Sequence, residues 1–178
     1  MRYALPARLI HWLMAIGFLF MWVSGFMIGN VVEEDTPLES LLFYLHFSIA
    51  VTLGALLVLR IAVRLTHRAP PLPAEIRPIE RTGAHLAHAA LYALPAVIIT
   101  LGWCSSNIGG HLVHWFGIEF PKVFPDAEEF DALVEGLHMW LAYTMLAVAL
   151  AHVAGALKHR WVDGHDVIHR MTFNGRER

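Results

Sequence analysis

Histidine is the residue type through which this chain can do chemistry. There are 12 among 178 residues, and several stand inside long apolar blocks. Imidazole is a ready metal ligand and a natural axial ligand of haem iron. An ionisable group at membrane depth is costly and usually functional. His138 and His152 are 14 residues apart. On a helix that spacing gives about 21 Å of rise and about 40° of rotation, so one face carries an imidazole near each end. His11 stands at the depth of His152 in its own block, and His46 at the depth of His138. A single histidine in such a block reads as a hydrogen-bonded structural group. Four at matched depths read as a ligand set, in the pairs His11 with His152 and His46 with His138.

The remaining histidines fit other roles better. His85 and His88 are three apart and near one helix face; they suit a structural or proton-relay role, or replacement of one ligand of the His11 level. His111 with His114, and His165 with His169, have spacings compatible with a surface metal but lack a carboxylate-bearing motif. There is no H-E-x-x-H, P-loop or G-x-S-x-G, so membrane protease and ATPase readings have no support. Cys104 is the one cysteine, which excludes an internal disulfide, and no C-x-x-C-H is present for thioether attachment of a haem.

The elements that must position these residues are transmembrane helices. The chain is 57% hydrophobic, with a mean hydropathy of +0.52. The apolar residues fall into four blocks with the charges between them, and a span takes about 20 such residues. Spans are expected at residues 9–28, 38–63, 83–104 and 133–157, which makes residues 1–178 one all-α transmembrane domain, a four-helix bundle. The first block follows Arg2 and Arg8 but has no small-residue cleavage motif, so it reads as a retained span. Pro95 predicts a kink in span three. The connection HLVHWFGIEFP is aromatic-rich and suits the membrane interface. Twelve of the 13 Lys and Arg residues lie in the two termini, in the loop between spans two and three or, as Arg60, at the adjoining end of span two; the other two loops hold only Lys122. The positive-inside rule then puts both termini in the cytoplasm.

Several residues are candidates for supporting such a site. Gly17, Gly54, Gly102 and Gly155 could let helices approach a flat macrocycle, or could serve ordinary packing. Arg8, Arg64, Lys158 and Arg160 are placed to neutralise haem propionates, or to anchor the helices. Ser48 and Thr144 are nearby hydroxyls for the second ring nitrogen of a ligand. Trp103, Asn107 and Trp115 are candidates for a quinone site, with interfacial anchoring as the plainer alternative.

The stretches RLIHWLMAIGF, LHFSIAV, TGAHLAHAALYALP and GLHMWLAYTMLAVALAHVAGALKHRWVDGHDVIHRM together resemble the bacterial cytochrome b561 family, including its superoxide oxidase branch. The resemblance covers nearly the whole chain. It implies two haems b per chain, iron-ligated at the positions of His11, His46, His138 and His152, in a multi-pass protein of the bacterial inner membrane. It also implies exchange of electrons with ubiquinone and, in the superoxide branch, a superoxide:ubiquinone oxidoreductase acting at the periplasmic face. Related subunits instead anchor a separate dehydrogenase or hydrogenase and relay its electrons to the quinone pool. The acidic periplasmic loops, with Lys122 their only Lys or Arg, are poorly suited to gathering an anion. A histidine-lined ion carrier is a reading from another class, and it predicts a colourless protein.

Overall fold

The structure is a computed structural model and describes residues 2–173 apart from 72 and 74. Four long helices carry the fold: α1 (Leu5–Asn30), α2 (Pro37–Thr66), α3 (Pro78–Ile108) and α4 (Asp131–Trp161). Each contains one expected span and continues beyond it. All four are long and apolar enough to cross a membrane. Prolines stand in the first turns of α1, α2 and α3, where a missing N–H costs nothing. At the start of α2 the Thr36 hydroxyl accepts from the Glu39 N–H, and the Glu39 carboxylate accepts from the Asp35 N–H. Lys158, His159 and Arg160 close α4 in the turn where cations complement the helix dipole. Pro95 is buried within α3, which stays helical on both sides of it.

The helices run alternately up and down, so both described chain ends lie at the basic end of the bundle and the acidic loops at the other. α1 packs extensively on α2, and α3 on α4; between the two pairs, contact is sparser and runs mainly through α2 and α3. A small core of Ile10, Met14, Leu53 and Leu57 knits the first pair, with Phe18, Ile49, Tyr92 and Ile99 against it. Gly17 permits this packing: a Cβ there would lie 2.8 Å from Leu53 Cδ2. Leu13, Ile16, Val58, Leu65, Leu86 and Leu150 are all more than half exposed, as suits helices solvated by lipid rather than water.

The connection from α3 to α4 does not simply run across the acidic surface. It forms a two-stranded hairpin, β1 (His114–Trp115) and β2 (Ile118–Glu119). Phe116 and Gly117 both have positive φ (46° and 90°), as a two-residue turn matched to strand twist demands. The hairpin folds back on α2. The Phe116 N–H donates to Ser48 Oγ at 3.0 Å, and the Trp115 indole N–H donates to Thr52 Oγ1 at 3.1 Å. Ser48 lies about 16 Å and Thr52 about 22 Å along α2 from its first residue, so the turn reaches past the level of His46. Irregular backbone is tolerated at such depth when protein backs it. The buried Asn107 organises the rest of the connection: its Oδ1 accepts from the Val123 and Phe124 N–H groups, and its Nδ2 donates to the His111 carbonyl. At the basic end the segment after α4 straps onto α1, with Arg8 and Trp12 donating to the Thr172 and Met171 carbonyls.

Candidate functional site

The four histidines singled out by spacing meet as two pairs. His46 of α2 faces His138 of α4 with ring centres 6.4 Å apart. His11 of α1 faces His152 of α4 with ring centres 6.5 Å apart. A metal–imidazole bond is about 2.0–2.1 Å, and a ring centre lies about 1.1 Å beyond its nitrogen, so two imidazoles flanking one metal have centres about 6.3 Å apart. Both pairs match that separation. The first pair lies towards the acidic end of the bundle, the second towards the basic end.

Hydrogen bonding sets the tautomers of the acidic-end pair. His138 Nδ1 lies 2.9 Å from the Ile98 carbonyl, which only accepts, so Nδ1 carries the proton. His46 Nδ1 lies 2.9 Å from Ser24 Oγ, whose single proton is directed to the Met21 carbonyl, so the hydroxyl oxygen accepts from Nδ1–H. Both rings therefore leave Nε2 as a bare lone pair, the form a metal needs. Ser48 and Thr144, the hydroxyls nearest in sequence terms, do not serve: Ser48 accepts from the hairpin and Thr144 donates to the Trp140 carbonyl. Glycines make room for the rings. A Cβ on Gly102 would lie 3.0 Å from His138 Cε1, and one on Gly25 3.5 Å from His46 Cε1, whereas Gly155 meets nothing within 4 Å.

The basic-end pair is arranged differently. Arg60 donates to His11 Nδ1 at 3.3 Å and to the Ala7 carbonyl at 3.3 Å, and its guanidinium lies over the Tyr92 ring. Arginine has no acceptor, so this long contact holds His11 with Nδ1 unprotonated; ligation through Nε2 requires Arg60 to release it. A third imidazole joins this level, with the His88 ring centre 5.1 Å from that of His152. Sequence reasoning placed His88 at this depth but missed Ser24 and Arg60. Ser24 is a buried hydroxyl in an otherwise apolar block, and that was the available signal.

Of the cationic candidates, Lys158 is committed: it pairs with Glu80 at 2.8 Å and with Asp163 at 2.6 Å, while His159 Nδ1 lies 2.7 Å from Asp163. Glu80, His159 and Asp163 cluster closely enough to hold a cation, and the Lys158 ammonium already occupies that role. Beside Lys158 and then His159, the Asp163 carboxyl is held below the usual carboxylate range. Arg64 is exposed on α2. His114 lies 3.9 Å from Glu119, and His169 bonds Arg2; among the described residues, neither loop pair of histidines joins a group of three ligands close enough to share a metal ion.

The arrangement is thus two histidine pairs, one towards each end of a bundle of four helices long and apolar enough to cross a membrane. A family model described as prokaryotic cytochrome b561 matches residues 2–174. This chain belongs to that family. It is 31% identical over 172 residues to cytochrome b561 homolog 2 of Escherichia coli (strain K12), covering 96% of this chain and 90% of the relative. It is 27% identical over 170 residues to the probable superoxide oxidase CybB of Yersinia pestis, covering 91% and 90%. The cytochrome b561 chain described here is thus a multi-pass bacterial membrane protein of electron transfer, and its family implies binding of haem b.

Proposed function

We propose that this cytochrome b561 holds two haems b and passes electrons from superoxide at the periplasmic face of the inner membrane to ubiquinone, with both termini cytoplasmic. His46 and His138 would ligate the haem near the periplasm, and His11 and His152 the haem near the cytoplasm. The observation that carries this reading is the pair of inter-ring separations, 6.4 and 6.5 Å, on helices whose apolar faces suit a bilayer. When bound, haem supplies reversible one-electron chemistry. The protein's part is to fix two imidazoles per site, with Ser24 and the Ile98 carbonyl orienting the periplasmic pair. The overall reaction balances as two superoxide anions releasing two dioxygen molecules, while one ubiquinone takes up two electrons and two protons.

The purified protein is expected to carry two haems per chain with the visible bands of low-spin bis-histidine iron. His46→Ala and His138→Ala should each lose one haem and keep the other. Two haems retained in both variants would defeat the ligand assignment. Addition of superoxide should reduce the wild-type haem rapidly. A second reading, as membrane relay for a separate dehydrogenase or hydrogenase, draws support from the acidic loops, which suit a basic protein partner better than an anion. Co-purification with a large redox partner, together with slow reduction by superoxide, would favour it.

A further inference from the structure

Among the described residues, three buried side-chain nitrogens have no hydrogen-bond partner: Arg8 Nε, Arg81 Nε and Trp103 Nε1. The two arginines each donate through another nitrogen, to the Thr172 and Pro73 carbonyls. Trp103 has no such alternative, because an indole carries one N–H and no acceptor. Native structures rarely leave a buried donor of this kind unpaired. Two other indoles in the same half of the bundle are satisfied: Trp22 donates to the Ala142 carbonyl, and Trp115 to Thr52 Oγ1.

Trp103 follows Gly102, whose missing Cβ makes room for the His138 ring. It lies five residues beyond Ile98, whose carbonyl orients that ring, and so about 7.5 Å further towards the acidic end. Its ring packs edge-to-face on Phe120, with centres 5.2 Å apart. Phe120 belongs to the connection that folds back on α2, the helix of His46. Haem b carries two carboxylates on one edge of its macrocycle, and a buried carboxylate is costly without donors. Few groups at this end can serve one. Lys122 is the only Lys or Arg of the two acidic loops, and it is paired with Asp126. Both amide atoms of Asn107 bind backbone, Ser105 donates to Asp131, and Ser106 donates to the His111 carbonyl.

We propose that Trp103 donates its indole N–H to a carboxylate of the haem held by His46 and His138, the part that arginine commonly plays for a carboxylate. This rests on the ligand assignment proposed above. A hydrogen bond to an ionised acceptor is among the stronger ones. It ties the macrocycle edge to α3, and it draws negative charge away from the iron, which favours the ferrous state.

Trp103→Phe keeps a ring against Phe120 and removes the N–H. In spectroelectrochemical titration of the holoprotein, the haem concerned is the component that His138→Ala lacks. In Trp103→Phe that component should be present with a lower midpoint, by up to a tenfold change in the reduced-to-oxidised ratio, about 59 mV for one electron. The other component should not move. Release of the affected haem to apomyoglobin should be at least threefold faster, and Trp103→His, which returns a ring N–H, should recover part of both changes. Holoprotein reconstituted with haem b dimethyl ester has no charged carboxylate, so there Trp103→Phe should lose its effect. Persistence of the full effect with the ester marks a packing role and overturns the proposal. If His138→Ala still titrates as two components, the ligand assignment fails and this inference with it. If His138→Ala loses one component and Trp103→Phe leaves that midpoint in place, the indole assignment alone fails. Should Trp103→Phe not take up haem, the unmodified protein decides: ultraviolet resonance Raman of the ferrous form should show one indole more strongly bonded with haem b than with the dimethyl ester, and equal spectra overturn the proposal.

Discussion

Replacing Ser24 by alanine should move the potential of one haem and leave the other alone. Ser24 is 1% exposed, and its oxygen accepts the Nδ1–H of His46 at 2.9 Å. That bond increases the basicity of the imidazole and hence its donation to the oxidised metal. A hydrogen bond of this kind contributes about 0.5–1.5 kcal/mol. At about 59 mV per 1.4 kcal/mol for one electron, its loss should raise the midpoint of the haem proposed between His46 and His138 by about 20–60 mV if the whole contribution favours ferric iron. Loss of such a partner also weakens ligation by about 10–100-fold, so haem occupancy should fall at that site under dilution. Ser24 and His11 are 13 residues apart on α1, about 20 Å, so the other haem has no reason to respond. Spectroelectrochemical titration resolving two components reads both numbers, and Ser24→Thr should restore the wild-type value. Equal shifts in both components, or none in either, would refute the role given to Ser24.

Three other perturbations follow from the packing and the charges. Gly102→Val should displace His138, since even a Cβ would lie 3.0 Å from its Cε1, and haem quantitation should show one haem lost; Gly155→Ala, which meets nothing within 4 Å, should keep both. Asn107→Ala should destabilise the connection between α3 and α4 by about 2–4 kcal/mol, because two loop N–H groups and one carbonyl lose their partner; faster proteolysis between residues 109 and 127 checks this. Asp163 titrates below an ordinary carboxylate because Lys158 and His159 face it. Its contribution is complete above the unfolded carboxylate value and lost as pH falls through its lower folded value, so the strap after α4 should become protease-sensitive only below the ordinary carboxylate range, and at neutral pH in Asp163→Asn.

The four helices were legible because length and apolar composition suffice to specify a span, and because Pro37, Pro78 and the charged turns mark the ends. The histidine pairs were legible because a 14-residue interval on α4 is a statement about depth and direction at once. The partners of the rings were not. His46 is oriented by Ser24, 22 positions away on another helix, and His138 by a backbone carbonyl that any residue at position 98 would supply. The return of the hairpin onto α2 was equally hidden. Phe116 and Trp115 find Ser48 and Thr52 across more than 60 residues, and an aromatic run alone carries no information about such a contact. A cleft beside His88 has the same character: His85 and His88 were visible as a pair, but their convergence with Arg64 and Tyr92 exists only once α2 and α3 are packed.

The donor can be argued from the field at the acidic end. Ten of the 15 carboxylates lie in or beside the two loops there, against Lys122 alone among lysines and arginines, and the Lys122 ammonium is paired with Asp126. An anionic donor approaching this end meets net repulsion, which screening weakens, the Debye length falling from about 30 Å at 0.01 M salt to about 8 Å at 0.15 M. Haem reduction by superoxide should therefore accelerate with added salt, opposite to the behaviour of an electrostatically steered reaction. A basic protein donor is drawn by the same field, and its rate should fall with salt. If instead the superoxide rate falls with salt, a positive region must dominate the local path, and the paired Lys122 described here is not the group providing it.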